Sequence, residues 1–177
     1  NLAFDWMIAE KKKKYYMLTK HQADLEIKKA SEIKTLILRP GLMLGPGDNI
    51  NGPKLLQAIK DGKMPANMPG GTNIVDARDV ARGIVLALKN NITEGDFLLS
   101  GHNLSFKEIN STLAKAVGAN PPKKNMPKFL HAPLYLLFSF LEKIYSGKLP
   151  LTSDNIDSSF MFRYFSHAKA QKAFGWS

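Results

Sequence analysis

The stretch Thr35-Leu-Ile-Leu-Arg39, closed by Pro40, decides the fold class. This short apolar run comes directly after a segment of helix formers, about 13–31, that contains neither glycine nor proline. An apolar run of this length after a helix is typical of a strand that is buried on both faces of a parallel sheet. The sequence therefore predicts a helix followed by a buried parallel strand.

The rest of the chain alternates short strand candidates with helical segments. Segment 40–51 holds three glycines and two prolines and is predicted to be a loop. Strands are predicted at 73–76, 95–100 and 163–165. One helix is predicted to begin at a cap, Asp76 or Asp79, and to run to about 88, and another to begin at a Ser105–Glu108 capping box and to run to 117. Further helices are predicted at 53–60, 152–160 and 166–174. This alternation predicts an α/β fold with a largely parallel sheet.

Composition narrows the function classes. The 177 residues include no cysteine and four histidines without metal-ligand spacing, so a disulfide framework and a cysteine nucleophile are excluded and no metal site is expected. The net charge of +10 is spread along the chain, and its one dense run, Lys11 to Lys14, lacks interleaved aromatic residues. We interpret the positive net charge as a feature that keeps the protein soluble rather than as a nucleic-acid-binding surface. The alternative interpretation is a basic module that binds nucleic acid or a membrane surface. Without a signal-peptide pattern, a cytoplasmic location is expected.

Tyr16 and Lys20 are the first candidates for chemistry. Residues four apart on a helix lie on one face, one turn from each other. In general, an ammonium beside a phenol stabilises the phenolate and brings the phenol pKa down from about 10 towards the range of a general acid or base. Only Tyr16, of five tyrosines, has a lysine four residues on. The alternative is an ordinary Tyr–Lys pair on a helix surface.

Two further segments contain candidate site residues. Leu38 to Asp48 places a Pro/Gly loop at the carboxyl end of the predicted strand, which is the edge where open α/β sheets bind ligands. The alternative there is an ordinary connection built from turn residues. Asp76 and Asp79 form a possible carboxylate pair, but we favour a helix cap and an ion pair between Asp79 and Arg82.

In this order, the segments resemble the extended short-chain dehydrogenase/reductase superfamily and its NAD-dependent epimerase/dehydratase pattern. The resemblance is based on Tyr16-x-x-x-Lys20, on Arg39-Pro-Gly with Gly45-Pro-Gly-Asp48, and on Asn73-Ile-Val-Asp76-x-x-Asp79. Segments 95–105, 118–122 with Pro127, and 165–175 resemble the dihydroflavonol reductase and 3β-hydroxysteroid dehydrogenase branch.

The resemblance implies the carboxy-terminal part of a Rossmann-type doubly wound parallel sheet plus a smaller, mostly helical region that covers the substrate. Residues 1–50, with 73–90 returning to them, would belong to the NAD(P)-binding domain, and 51–177 mainly to the substrate-binding region. Tyr16 would be the general acid/base, and Lys20 would assist it and hold the nicotinamide ribose. The nicotinamide face of NAD or NADP would be lined by Pro40, Gly41, Leu42 and Met43.

The implied activity is hydride transfer between nicotinamide and a carbonyl or hydroxyl carbon. The apolar segment 129–145 favours a hydrophobic small molecule over a sugar nucleotide, and its uninterrupted apolar stretches are shorter than the roughly 20 residues of a membrane span, so no stable membrane insertion is expected. A nucleotide-sugar epimerase or dehydratase and a non-catalytic NAD(P)-sensing relative remain alternatives, and a homodimer stays open.

Two parts of the family pattern do not occur in this sequence. It contains no GxxGxxG loop for the dinucleotide, and no serine or threonine precedes Tyr16. We expect both upstream of Asn1. These residues would then be the carboxy-terminal part of a longer protein and would be inactive alone.

Overall fold

The structure, a computed structural model, describes residues 15–30, 32–49, 51–145, 149 and 151–177. The Lys11–Lys14 run and the start of the predicted first helix lie outside the described residues. The helices are α1 (Tyr15–Lys29), α2 (Asn51–Lys60), α3 (Ala77–Lys89), α4 (Phe106–Ala116), a 3-10 helix (Lys128–Leu130), α5 (His131–Tyr145), α6 (Ser153–Ser159) and α7 (Ala168–Phe174). The strands are β1 (Leu36–Pro40), β2 (Leu42–Leu44), β3 (Gly71–Asp76), β4 (Gly95–Leu99), β5 (His102–Ser105) and β6 (Phe162–Arg163).

The strands form two sheets. In the first, β1 runs parallel to β4, with Leu36 opposite Gly95 and Pro40 opposite Leu99. In the second, β3 is the central strand, with β2 and β6 parallel to it and β5 antiparallel. The prediction of an α/β fold with parallel strands is confirmed.

Four predictions about strands need correction. The first four residues of β1 are only half-buried and Pro40 is exposed, because β4 is the one strand that pairs with β1 within the described part of the chain. The predicted loop 40–51 contains β2, and β5 was missed. The strand expected at 163–165 is instead Phe162–Arg163.

Several helix boundaries follow from local side-chain chemistry, as predicted. Asp76 caps α3, since its Oδ1 accepts a hydrogen bond from the Arg78 backbone N–H at 2.8 Å. Ser105 and Glu108 form the predicted capping box of α4. Gly175, at φ +72°, ends α7 in the left-handed region that favours glycine.

One apolar core holds the two sheets, α3 and α7 together. Its buried members are Val75, Ala87, Phe97, Leu99, Ala170, Phe174 and Trp176. At Gly83 of α3 the packing is so close that a Cβ would lie 2.8 Å from the Trp176 ring. Burial of this kind fixes α3 and α7 against β4, whereas none of the residues of α1 or α5 is buried.

Candidate active site

Tyr16 and Lys20 lie on the same face of α1. The Lys20 Nζ is 5.8 Å from the centroid of the Tyr16 ring, within the range of a cation–π contact. The Tyr16 side chain is open to solvent, with 70% of the residue exposed. The four-residue spacing therefore brings the ammonium to the phenol ring, while the catalytic role of the pair stays a prediction.

Arg39 joins the helix that contains this pair to the first sheet. Its Nη1 contacts the Asp24 Oδ2 of α1 at 2.8 Å. Its Nε and Nη2 each donate to one carboxylate oxygen of Asp96 in β4 at 2.7 Å, a bidentate pair. The hydrogen bonds and charge of Asp96 and Asp24 raise the pKa of Arg39, and Arg39 in turn holds the pKa of Asp96 below its usual value.

The predicted nicotinamide-facing residues directly follow Arg39. The Gly41 backbone N–H donates to the Leu99 carbonyl at 3.3 Å, which extends the β1–β4 pairing by one step. A Cβ on Gly41 would collide with the side-chain oxygen of Asn73, so packing alone requires glycine there. Leu42 and Met43 begin β2 and are 39% and 46% exposed. Pro40 to Met43 thus forms a partly apolar, open segment at the carboxyl end of β1.

The carboxylates of Asp76 and Asp79 do not form an acid–base pair. Asp76 accepts from the Arg78 side chain at 2.7 and 3.0 Å, and the side-chain and backbone hydrogen bonds of Arg78 lower the pKa of Asp76 to about 2. Asp79 pairs with Arg82 at 3.1 Å. The interpretation as a cap and an ion pair is confirmed.

Two cavities lie beside these elements. One, of about 460 Å³, is lined by residues that include Leu44, Gly45, Ser100, His167 and Trp176. The other, of about 440 Å³, lies between the end of α1 and the β1–β4 pair. Neither cavity is lined by Tyr16, Lys20 or the 40–43 segment.

Ser100 and His167 lie close together, with the imidazole Nδ1 2.7 Å from the Ser100 carbonyl oxygen. The sequence gives no signal for this contact, because the two residues lie 67 positions apart.

Among the described residues no group of three or more histidine and carboxylate side chains is placed to hold a metal ion. No helix in the described ranges combines the length and apolar character needed to cross a membrane.

Comparison with curated proteins finds relatives among reductases and dehydrogenases. A putative dihydroflavonol 4-reductase of Synechocystis sp. is 30% identical over 173 residues, which are 90% of this chain and 49% of that protein. The 3β-hydroxysteroid-dehydrogenase/decarboxylase isoform 1 of Arabidopsis thaliana is 27% identical over 182 residues, covering 92% of this chain and 42% of that protein. The chain thus spans about half the length of these relatives or less. No family model matches the chain.

Comparison with solved structures finds the same fold. The crystal structure of gox2253 superposes with a TM-score of 0.71 at 26% identity, covering 92% of this chain and 51% of the other. A nucleoside-diphosphate-sugar epimerase from Pseudomonas aeruginosa, PA4631, gives a TM-score of 0.58 at 26% identity over 80% of this chain and 41% of the other. The matched region is the carboxy-terminal portion of the relatives.

Proposed function

Because this chain belongs to the extended short-chain dehydrogenase/reductase superfamily, we propose that the whole protein is an NAD(P)-dependent oxidoreductase. It transfers a hydride between nicotinamide and a carbonyl or hydroxyl carbon of a hydrophobic small molecule. The observation that supports this most directly is the Tyr16–Lys20 contact on α1. Arg39 ties the same helix to the strand that ends at Pro40.

The exposed surfaces of this pair and of the 40–43 segment suit a dinucleotide that carries a flat ring. Tyr16 is exposed, and Leu42 and Met43 present partly exposed apolar side chains after β1. A nicotinamide ring packs on apolar side chains, and its ribose hydroxyls accept hydrogen bonds from an ammonium group. We therefore assign the ring face to the 40–43 segment and the ribose to Lys20.

Each residue of the pair has a separate task in the proposed reaction. When bound, the nicotinamide supplies or accepts the hydride. In the reductive direction, Tyr16 Oη donates a proton to the substrate oxygen as general acid. The Lys20 ammonium stabilises the phenolate that remains, because a positive charge near the ring favours its ionised form. In the oxidative direction Tyr16 takes the same proton back.

We propose that the β1–β4 sheet with α1 belongs to the cofactor-binding domain, together with the returning segment 73–90. One feature supports a separate region for the substrate within 51–177. The helix α5 and the strand β6 expose large apolar side chains, of which Leu136 is 67%, Phe140 60% and Phe162 53% exposed.

The apolar surfaces favour a hydrophobic substrate, and the structural likeness to a sugar-nucleotide epimerase favours a second candidate function. An epimerase oxidises and re-reduces its substrate with no net change in the cofactor. Net oxidation of NADH or NADPH with dihydroflavonol-type or ketosteroid-type carbonyl compounds supports the reductase. Interconversion of UDP-sugars without net cofactor oxidation supports the epimerase.

The catalytic assignment is tested by Tyr16→Phe in the natural full-length protein. General acid–base catalysis contributes about 10²- to 10⁴-fold, so turnover should fall by about 100-fold or more. Tyr15→Phe is the matched control, because Tyr15 is the neighbouring exposed tyrosine and lacks a lysine four residues on. It should keep wild-type turnover. Wild-type turnover in Tyr16→Phe would overturn the assignment.

A further inference from the structure

We propose that Arg39 is a positioning residue that, through Asp24, fixes the Tyr16–Lys20 face of α1 relative to the 40–43 segment. This inference rests on the proposed function, since it explains how the Tyr16–Lys20 pair and the 40–43 segment keep their relative positions. It assigns a role to two charged residues that contact neither the substrate nor the cofactor in the proposed mechanism.

The contacts of Arg39 make a rigid connection. The bidentate pair with Asp96 fixes the plane of the guanidinium, and the third nitrogen, Nη1, points to Asp24. The Asp24 and Arg39 side chains are 23% and 33% exposed, so solvent screens this ion pair less than a fully exposed one. An Arg–carboxylate link of this kind is directional as well as attractive.

The position of Asp24 on α1 connects this link to the candidate site. Tyr16, Lys20 and Asp24 follow at four-residue spacing, so they lie along one stripe of the helix. The two elements meet where Arg39 Nη1 lies 2.8 Å from Asp24 Oδ2. From this contact, α1 leads back along the chain to Lys20 and Tyr16, and β1 leads forward to Pro40.

Apolar packing contributes little to the position of α1. The ion pair between Asp24 and Arg39 is therefore important for placing the helix. None of its fifteen residues is buried. At a rise of 1.5 Å per residue, Tyr16 lies about 12 Å beyond Asp24, so a small tilt or rotation of α1 moves its phenol by an ångström or more. Misplacement of about 1 Å can cost about 100-fold in rate.

The test compares three variants in the natural full-length protein. Asp24→Asn removes the charge that Arg39 holds. Asp24→Glu keeps the charge, and Glu26→Gln removes a charge on the same helix whose partner, Lys29 at 2.7 Å, also belongs to α1. We measure kcat, KM for the substrate, the folded fraction by circular dichroism, and hydrogen–deuterium exchange of the α1 amides.

Asp24→Asn should lower kcat about tenfold per folded molecule with KM for the substrate within about twofold, and its α1 amides should exchange faster. Asp24→Glu should recover most of kcat, and Glu26→Gln should match the wild type in both measurements. A purely structural role would lower the folded fraction and leave kcat per folded molecule unchanged.

The outcomes separate this proposal from the proposed function. If Tyr16→Phe loses turnover while Asp24→Asn keeps it, the positioning role is wrong and the function stands. If Tyr16→Phe keeps full turnover, the catalytic assignment fails and the positioning of a catalytic pair fails with it. Exchange of the α1 amides in Asp24→Asn that is no faster than in Glu26→Gln overturns the connection between helix and strand itself.

Discussion

The helices α3 and α1 have similar lengths, but different interactions hold them in place. In α3, Gly83 and Ala87 are buried in the core beside Trp176 and Leu99. In α1 no residue is buried, and the ion pair between Asp24 and Arg39 connects it to the sheet. This difference separates two properties of the molecule. The apolar core provides the stability of the fold, and directional charge contacts place the candidate site.

The largest effect is expected on the free energy of unfolding, when the same substitution, Leu→Ala, is made in two regions of the molecule. Leu99 is fully buried in the core, whereas Leu136 of α5 is 67% exposed. Leu99→Ala should lower the free energy of unfolding by about 2–5 kcal/mol, because it removes buried methyl groups and leaves a cavity. Leu136→Ala should change it by less than about 0.5 kcal/mol, as is usual for surface positions.

Urea unfolding of both full-length variants, followed by circular dichroism, measures these differences. Equal losses would contradict the contrast, because they would mean that the α5 surface is covered as deeply as the core. A large loss for Leu136→Ala alone would place the main stabilising contacts on α5.

A smaller effect is expected from the ion pair between Arg39 and Asp96, whose contribution to stability depends on pH. Arg39 holds the pKa of Asp96 below its usual value by hydrogen bonding and charge. A carboxyl whose pKa is depressed in the folded state stabilises the fold at pH values above its unfolded-state pKa of about 3.9, and this stabilisation is lost as the pH falls through the folded-state pKa. The pair is partly exposed, with 39% of the Asp96 side chain accessible, so the effect is smaller than that of Leu99→Ala.

The measurement compares Tm of the wild type and Asp96→Asn from pH 7 to pH 2. The difference in Tm should be full at pH 5 to 7 and should narrow below about pH 4, because the unfolded chain takes up the proton there while the folded wild type takes it up only at a lower pH. A difference that stays constant down to pH 2 would show that the charge of Asp96 does not stabilise the fold.

Sequence patterns predicted the features that depend on residues close together in the chain. The caps at Asp76 and Ser105 form between residues two or three positions apart, so their signal lies within one helical turn. The contact between Lys20 and Tyr16 is local in the same sense. Periodicity and capping therefore gave the main helices, the α/β class and the Tyr–Lys pair.

The missed features depend on distant partners. Strand β2 lies between glycines and prolines that predict a loop, and β5 contains three polar residues among its four, so only pairing with β3 makes them strands. Arg39 and Asp96 are 57 positions apart, and nothing in the sequence selects these two from 25 basic and 15 acidic residues. The domain division and the roles of the 40–43 segment remain predictions for the same reason.

A crystal structure of the natural full-length protein with NAD(P) bound tests the central claim most directly. We predict that Lys20 Nζ lies within about 3 Å of a nicotinamide-ribose hydroxyl, that Tyr16 Oη faces the reacting side of the ring, and that the ring packs along residues 40–43. A nicotinamide bound away from α1, with Tyr16 still facing solvent, would contradict the account.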